Sequence, residues 1–229
     1  MQYPAHAVVP ALFLDRPNRF IAHCQLLHDG IPGKAVVCHV KNTGRCRELL
    51  VPGTLVYLCQ AAPDSKRKTD YDLIAVQKGD RLINIDSQAP NAAAAEFLQT
   101  RYDVVRPEVR YGDSRIDFAV EKDGKRSFIE VTGVTLERSD VVYFPDAPTE
   151  RGTKHLLELQ RAVAEGYGAA VLFVIQMENV RYFAPNVQTD PTFAAALRDA
   201  AAAGVEVWAY CCRVTPDTMV IDHFVLVQL

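Results

Sequence analysis

Residues 115–134, RIDFAVEKDGKRSFIEVTGV, form two alternating runs joined by Asp123-Gly124. That dipeptide is a strong signal for a two-residue hairpin, because both central positions need positive φ, which Asp tolerates and Gly adopts freely. Pairing Lys122 with Lys125 sets Phe118 against Ile129 and Ile116 against Val131 on one apolar face. The opposite face then carries Asp117 across from Glu130, and Arg115 across from Thr132. Two carboxylates with Cβ atoms about 5 Å apart repel each other across a strand pair, so something must compensate. One candidate is a hard divalent cation such as Mg²⁺ or Mn²⁺, held by one or two protein carboxylates and completed by water and phosphate oxygens. Neutralisation by Arg115 and nearby lysines, or protonation of one carboxyl, is the other. The hairpin alone leaves both open.

Outward from this hairpin, strands alternate with helices. A helix capped by Asn91 is expected over AAAAEFLQ, then strands around 106–121 and 126–136, and a helix from about 149 to 165 ending at Gly166. The apolar strand AAVLFVIQ, an alanine-rich helix PTFAAALRDAAAAG, the strand VEVWAYCC and a last strand near TMVIDHF follow. This order predicts a mixed sheet covered by helices. Before residue 86 the pattern differs. Short β-type runs (HAVVPALFL, RFIAHCQLL, KAVVCHV, TLVYLCQA, YDLIAVQ, RLINIDS) are punctuated by turn residues, as in a small antiparallel barrel of OB type. The fold class is therefore α/β in two domains: a barrel over residues 1–86 and a mixed α/β domain over 87–229.

The 229 residues are 49% hydrophobic, enough for packed cores in either domain. No apolar stretch is long enough to span a bilayer, and the N-terminus lacks a basic start followed by a long apolar run, so neither membrane association nor export is expected. Six cysteines without C-x-x-C spacing read as reduced core residues of a cytoplasmic protein; a zinc site from Cys38, His39 and Cys46 is a minor alternative. A net charge of −3 gives no global nucleic-acid signal. Local patches must carry any such function. KNTGRCR at 41–47 and DSKRKTD at 64–70 are the two available, and for each a solvated loop is the competing reading.

Along nearly its whole length the sequence resembles the sugar fermentation stimulation protein family (SfsA). The resemblance is carried by RFIAHCQLL, CHVKNTGRCRELLVPGTLVYL, YGDSRIDFAV, FIEVTGVTL and, above all, YFPDAPTERGTKHLLEL at 143–159. It implies an N-terminal OB-type barrel and a restriction-endonuclease-like domain of the PD-(D/E)xK superfamily, in a DNA-binding protein with a role in expression of sugar-utilisation genes. Carried over residue by residue, the motif puts its two acids on Asp117 and Glu130, which become the implied metal ligands for Mg²⁺ or Mn²⁺. Its lysine falls on Thr132. Threonine is neutral and replaces only part of what a lysine does for developing charge.

Arg115 and Lys154 are the candidate substitutes. Arg115 stabilises charge but cannot act as a base. At about 100° per residue, Lys154 shares a stripe with Arg151, Glu158 and Arg161, opposite Leu156 and Val163, which is the solvent side. Lys41, Asn42, Arg45, Arg47 and Arg151 are the DNA-contact candidates, positioning a phosphate backbone without reading sequence. The expected function is DNA binding with weak or absent cleavage; the alternative is an active Mg²⁺- or Mn²⁺-dependent nuclease. A sugar-binding barrel is a thinner third reading, because Trp208 lies in an apolar strand and offers no exposed platform.

Overall fold

The structure is a computed structural model that describes residues 1–42, 44–62, 67–112 and 114–229. Parts of both basic loops, Thr43 in the first and residues 64–66 in the second, lie outside the described residues, as does Asp113 before the hairpin. The chain divides into two compact units. The first is Met1–Ala89 with Gln176–Glu178 and Arg213–Val220; the second is Pro90–Ile175 with Asn179–Cys212 and Ile221–Leu229.

The first unit begins with β1 (Val8–Asn18), β2 (Ile21–His28), β3 (Ile31–Val40), β4 (Leu55–Gln60), β5 (Tyr71–Lys78) and β6 (Arg81–Asn84). They are ordered β3-β2-β1-β4-β5-β6, and a parallel β3–β5 pairing of Cys38 with Tyr71, His39 with Asp72 and Val40 with Leu73 closes the first five into a barrel. This is the OB-like barrel expected from the spacing of the runs. Its interior is filled by the alternate positions that point inward, among them Ala11, Phe13, Cys24, Cys38, Val56 and Leu58, all buried. Gln176 explains why a later segment belongs here. Its amide nitrogen lies 3.0 Å from the Asn84 carbonyl, 3.1 Å from Asn84 Oδ1 and 3.1 Å from the Asp86 carbonyl, satisfying two backbone carbonyls and one side-chain oxygen at the end of β6 and just beyond it.

The second unit comprises α1 (Ala89–Gln99), β7 (Val104–Tyr111), β8 (Ser114–Lys122), β9 (Lys125–Val134), β10 (Leu136–Arg138), β11 (Val141–Phe144), α2 (Glu150–Ala164), β12 (Gly168–Ile175), β13 (Tyr182–Pro185), α3 (Pro191–Ala202), β14 (Glu206–Val214), β15 (Met219–Phe224) and β16 (Leu226–Val227), with segment ends shared as given above. Its larger sheet runs β15-β14-β12-β9-β8-β7. The hairpins β7–β8 and β8–β9 are antiparallel, whereas β9–β12 and β12–β14 are parallel pairs reached through α2 and α3. β12 is flanked on both sides and is buried from Ala169 to Ile175, which accounts for its continuous apolar run.

Local chemistry sets the helix ends. Thr149 caps α2 by accepting from the Gly152 amide at 3.0 Å, and Gly166, at φ 90°, takes the left-handed conformation that stops the helix. Asp190 caps α3 through the Phe193 amide, with Pro191 in the first turn. Two features depart from expectation. α1 starts at Ala89, so Asn91 lies inside the helix and its side chain is used elsewhere. A second sheet, β10-β11-β13-β16, was not anticipated; its strands span three, four, four and two residues, too few to display a period of two.

Candidate functional site

The Asp123-Gly124 turn has both residues at positive φ, 51° and 73°, and the hairpin pairs Lys122 with Lys125 through Phe118 with Ile129. At Asp117 the ladder gives way to a side chain. Asp117 Oδ2 accepts the Val131 backbone N–H at 2.8 Å, and Oδ1 accepts the Asn91 amide at 2.9 Å. These two bonds fix the carboxylate's orientation. They still leave acceptor capacity on both oxygens, since each carries two lone-pair sites.

Glu130 is the other acid, in the middle of β9 and only 4% exposed. His155, on α2, sits against it with Nδ1 2.7 Å from Oε2. The second oxygen, Oε1, is buried with no hydrogen-bond partner. Burial pushes Glu130 up to about 7; the His155 hydrogen bond opposes this and the negative charge of Asp117 adds to it. The Glu130 hydrogen bond in turn raises His155, against its own burial and the charge of Arg151. Arg151 is the outer neighbour, with Nε 3.5 Å from His155 Nε2.

The other sequence-predicted residues are placed as follows. Thr132 is half-buried on β9, two residues beyond Glu130 and beside Phe173 of β12. Arg115 pairs with Arg110 on β7 and forms an ion pair with Glu108, both side chains being well exposed. Lys154 lies on the exposed face of α2, 3.8 Å from Glu158, as its helical stripe predicts. Neither therefore supplies the charged partner of the carboxylates. The side chain that faces Glu130 from α2 is instead His155, one residue and about 100° past Lys154, at the flank where α2 meets β9. Sequence reasoning missed His155 at this site and expected Asn91 only as a helix cap, not as a donor to Asp117. His155 could have been found by asking which polar residue borders the buried stripe of Leu156, Leu159 and Ala162.

In the barrel unit the predicted DNA-contact residues separate into two kinds. Lys41 is held inside a charge cluster, 3.0 Å from Asp72 and 3.4 Å from Asp86, where Arg67 and His39 also meet Asp72. Asn42 is structural as well. Its amide donates to the Ile85 carbonyl at 2.9 Å and its Oδ1 accepts the Gly44 N–H at 2.7 Å. Arg16, not anticipated, holds this loop, its guanidinium donating to the carbonyls of Asn42, Gly44, Arg45 and Arg19 at 2.7–3.2 Å. Arg45 and Arg47 remain exposed, lining a hollow of about 340 Å³ with Arg16 and Arg19. All six cysteines are free thiols, and His39 turns to Asp72. Among the described residues no three His, Cys, Asp or Glu side chains are grouped to hold a metal ion, so a cation at Asp117 and Glu130 would draw its remaining ligands from water or phosphate. No helix among them is long and apolar enough to cross a membrane.

These features define a class of protein: a closed five-stranded barrel followed by a helix-covered mixed sheet that carries an acidic pair, Glu130 buried and Asp117 half-buried. Two family models match in tandem: the SfsA N-terminal OB domain over residues 14–85, and the sugar fermentation stimulation protein RE domain over residues 87–218. The chain belongs to the sugar fermentation stimulation protein family. It is 51% identical over 221 residues to a sugar fermentation stimulation protein homolog of Desulfitobacterium hafniense, covering 95% of this chain and 94% of that one. With the homolog of Ruminiclostridium cellulolyticum it shares 48% identity over 223 residues, at 95% and 96% coverage. The solved structure of Pyrococcus furiosus SfsA in complex with Ca²⁺ matches with a TM-score of 0.86 at 25% identity, over the full length of both chains.

Proposed function

We propose that this protein binds DNA through the phosphate backbone and holds a divalent cation between Asp117 and Glu130. The observation that carries the proposal is Glu130 itself: a carboxylate buried to 4% beside a second carboxylate, with one oxygen unpaired. Leaving a buried charged acceptor unsatisfied costs on the order of 1–3 kcal/mol or more, and a cation removes that cost. The donor set is all hard oxygen, which suits Mg²⁺, Mn²⁺ or Ca²⁺. The Ca²⁺ complex named for the Pyrococcus furiosus structure supports the same choice. A cation held there neutralises the carboxylates and polarises a phosphodiester. The chain's own residues do the rest. Asn91 and the Val131 N–H aim Asp117, His155 orients Glu130, and the exposed Arg45 and Arg47 meet phosphates.

Binding without rapid cleavage is favoured because Thr132 is neutral, Arg115 is engaged by Glu108 and Lys154 by Glu158. We assign the protein to the cytoplasm on its six free thiols, and to regulation of sugar-utilisation genes on its resemblance to the family. A second reading, an active metal-dependent nuclease, is favoured by one observation: His155, 2.7 Å from Glu130 and raised by that hydrogen bond, is a side chain of the type that carries protons in general acid–base catalysis. Fluorescence anisotropy with labelled single- and double-stranded DNA tests the proposal. Binding is expected to weaken steeply with salt and to tighten with Ca²⁺ or Mn²⁺. No retention of either DNA at low salt, with or without cation, would overturn it. Cleavage of the same DNA in Mn²⁺ that disappears in Asp117→Ala would select the nuclease reading.

A further inference from the structure

The hairpin turn between β1 and β2 is Arg19-Phe20, and its backbone is fixed from three directions. Asn18 Oδ1 accepts the N–H groups of Phe20 at 2.9 Å and Ile21 at 3.1 Å, and the Phe20 carbonyl accepts the Val40 N–H at 2.8 Å. The ring is nonetheless 52% exposed, with the Arg19 guanidinium 5.8 Å from its centroid. Single exposed apolar residues are ordinary on protein surfaces; the neighbours of this one are not. Asn18 and Arg19, just before Phe20, line the 340 Å³ hollow that also contains Arg16, Arg45 and Arg47. Ile21, just after it, lines a second hollow of about 560 Å³ with His39, Lys41, Arg67 and Lys68. Phe20 therefore stands on a hydrogen-bonded turn whose flanking residues line two basic depressions.

The two depressions differ in strength. Asp72 and Asp86 hold Lys41 and Arg67 in the second, whereas the first is lined by four guanidinium groups, those of Arg16, Arg19, Arg45 and Arg47. A backbone anchored in the first and continuing toward the second crosses the turn that presents Phe20. Deepening the DNA-binding proposal above, on which it rests, we infer that the barrel unit binds a single strand of nucleic acid, with phosphates in the arginine hollow and a base stacked on Phe20. A duplex is disfavoured as the occupant of this site because its base faces are covered within the stack, while an unpaired strand offers a π-face at every base.

The test is anisotropy in EDTA, which removes any contribution from a cation, using a labelled oligo-dT of about 15 nucleotides and a duplex of equal length. Phe20→Ala is expected to weaken oligo-dT binding about tenfold and to leave duplex binding and the melting temperature unchanged. Phe20→Trp in a Trp208→Phe background is expected to retain affinity and to show quenched emission when oligo-dT is added. The inference is overturned if Phe20→Ala binds oligo-dT as tightly as the parent, or if oligo-dT saturates the tryptophan variant without changing its emission. Duplex binding without single-strand binding overturns it while leaving the DNA-binding proposal standing; binding of neither in EDTA overturns it, and binding of neither in added Ca²⁺ or Mn²⁺ as well overturns both.

Discussion

Each unit of this protein contains a pair of neighbouring, mostly buried acids, and the two pairs are compensated in opposite ways. In the barrel unit, Asp72 and Asp86 share Lys41, and Asp72 is also met by Arg67 and His39. Burial alone would raise Asp72, but the arginine and lysine outweigh it and hold its carboxyl below the usual range. In the second unit, Asp117 and Glu130 receive one amide, one backbone N–H and one histidine, and Glu130 is left raised with an unpaired oxygen. A pair closed by fixed cations is a structural cluster. A pair left short of positive charge has room for a cation that the chain does not supply, at some cost to its own stability.

The largest effect is expected from opening the closed pair. Lys41→Met removes the shared cation and leaves the buried Asp86 carboxylate without its ion-pair partner while Asp72 keeps Arg67, for a loss of about 3 kcal/mol in urea unfolding. The same cluster sets an acid limb. Because the folded-state pKa of Asp72 lies below its unfolded value of about 3.9, the folded protein binds fewer protons than the unfolded one. The stabilisation is therefore complete above that value and is lost as pH falls through the lower folded value. Melting temperatures between about pH 5 and pH 2 should fall less steeply for Asp72→Asn than for the parent.

The open pair should respond in the reverse sense. Glu130→Gln removes the under-compensated charge, so the chelator-treated variant should melt no lower than the parent, while calorimetric Ca²⁺ or Mn²⁺ affinity falls at least about a hundredfold, or about 2.7 kcal/mol. A variant that loses both stability and cation binding would place Glu130 with Asp72 as a structural acid. His155→Ala should act more mildly. His155 orients a ligand rather than contributing an oxygen of its own, and loss of such a neighbour typically costs about 10-fold to 100-fold in metal affinity. An unchanged affinity would show that Glu130 needs no positioning from α2.

How far these differences could be read from sequence depends on how local the determinant is. The Asp123-Gly124 turn fixed the pairing from Lys122–Lys125 to Phe118–Ile129 and brought Asp117 next to Glu130. The reading failed where side chains replace backbone, as at Asp117, which captures the Val131 N–H and ends the ladder before Arg115 can face Thr132. His155 escaped notice because a helical wheel separates buried from exposed residues and says little about those at the boundary. In the barrel, the closed fold followed from the spacing of runs and turns. The roles of Lys41 and Asn42 did not, because Asp72, Asp86 and Ile85 reach them only through the tertiary fold. The short strands Val141–Phe144 and Tyr182–Pro185, whose parallel pairing also joins distant segments, were invisible for the same reason.

The smallest effects are expected from the two cations that the motif's missing lysine brings to attention. Arg115 and Glu108 form their ion pair with both side chains 64% exposed, and Lys154 is 59% exposed beside Glu158. Such surface pairs contribute little, because water screens them and ordering two long side chains has an entropic cost. Arg115→Met and Lys154→Met should each change unfolding free energy by no more than about 0.5 kcal/mol and cation affinity by no more than about twofold. A tenfold loss of cation affinity in Lys154→Met would mean that the lysine swings off Glu158 to serve the carboxylates. In that case the contrast between a closed pair and an open one would disappear, since Asp117 and Glu130 would also have a cation of the chain's own to close them.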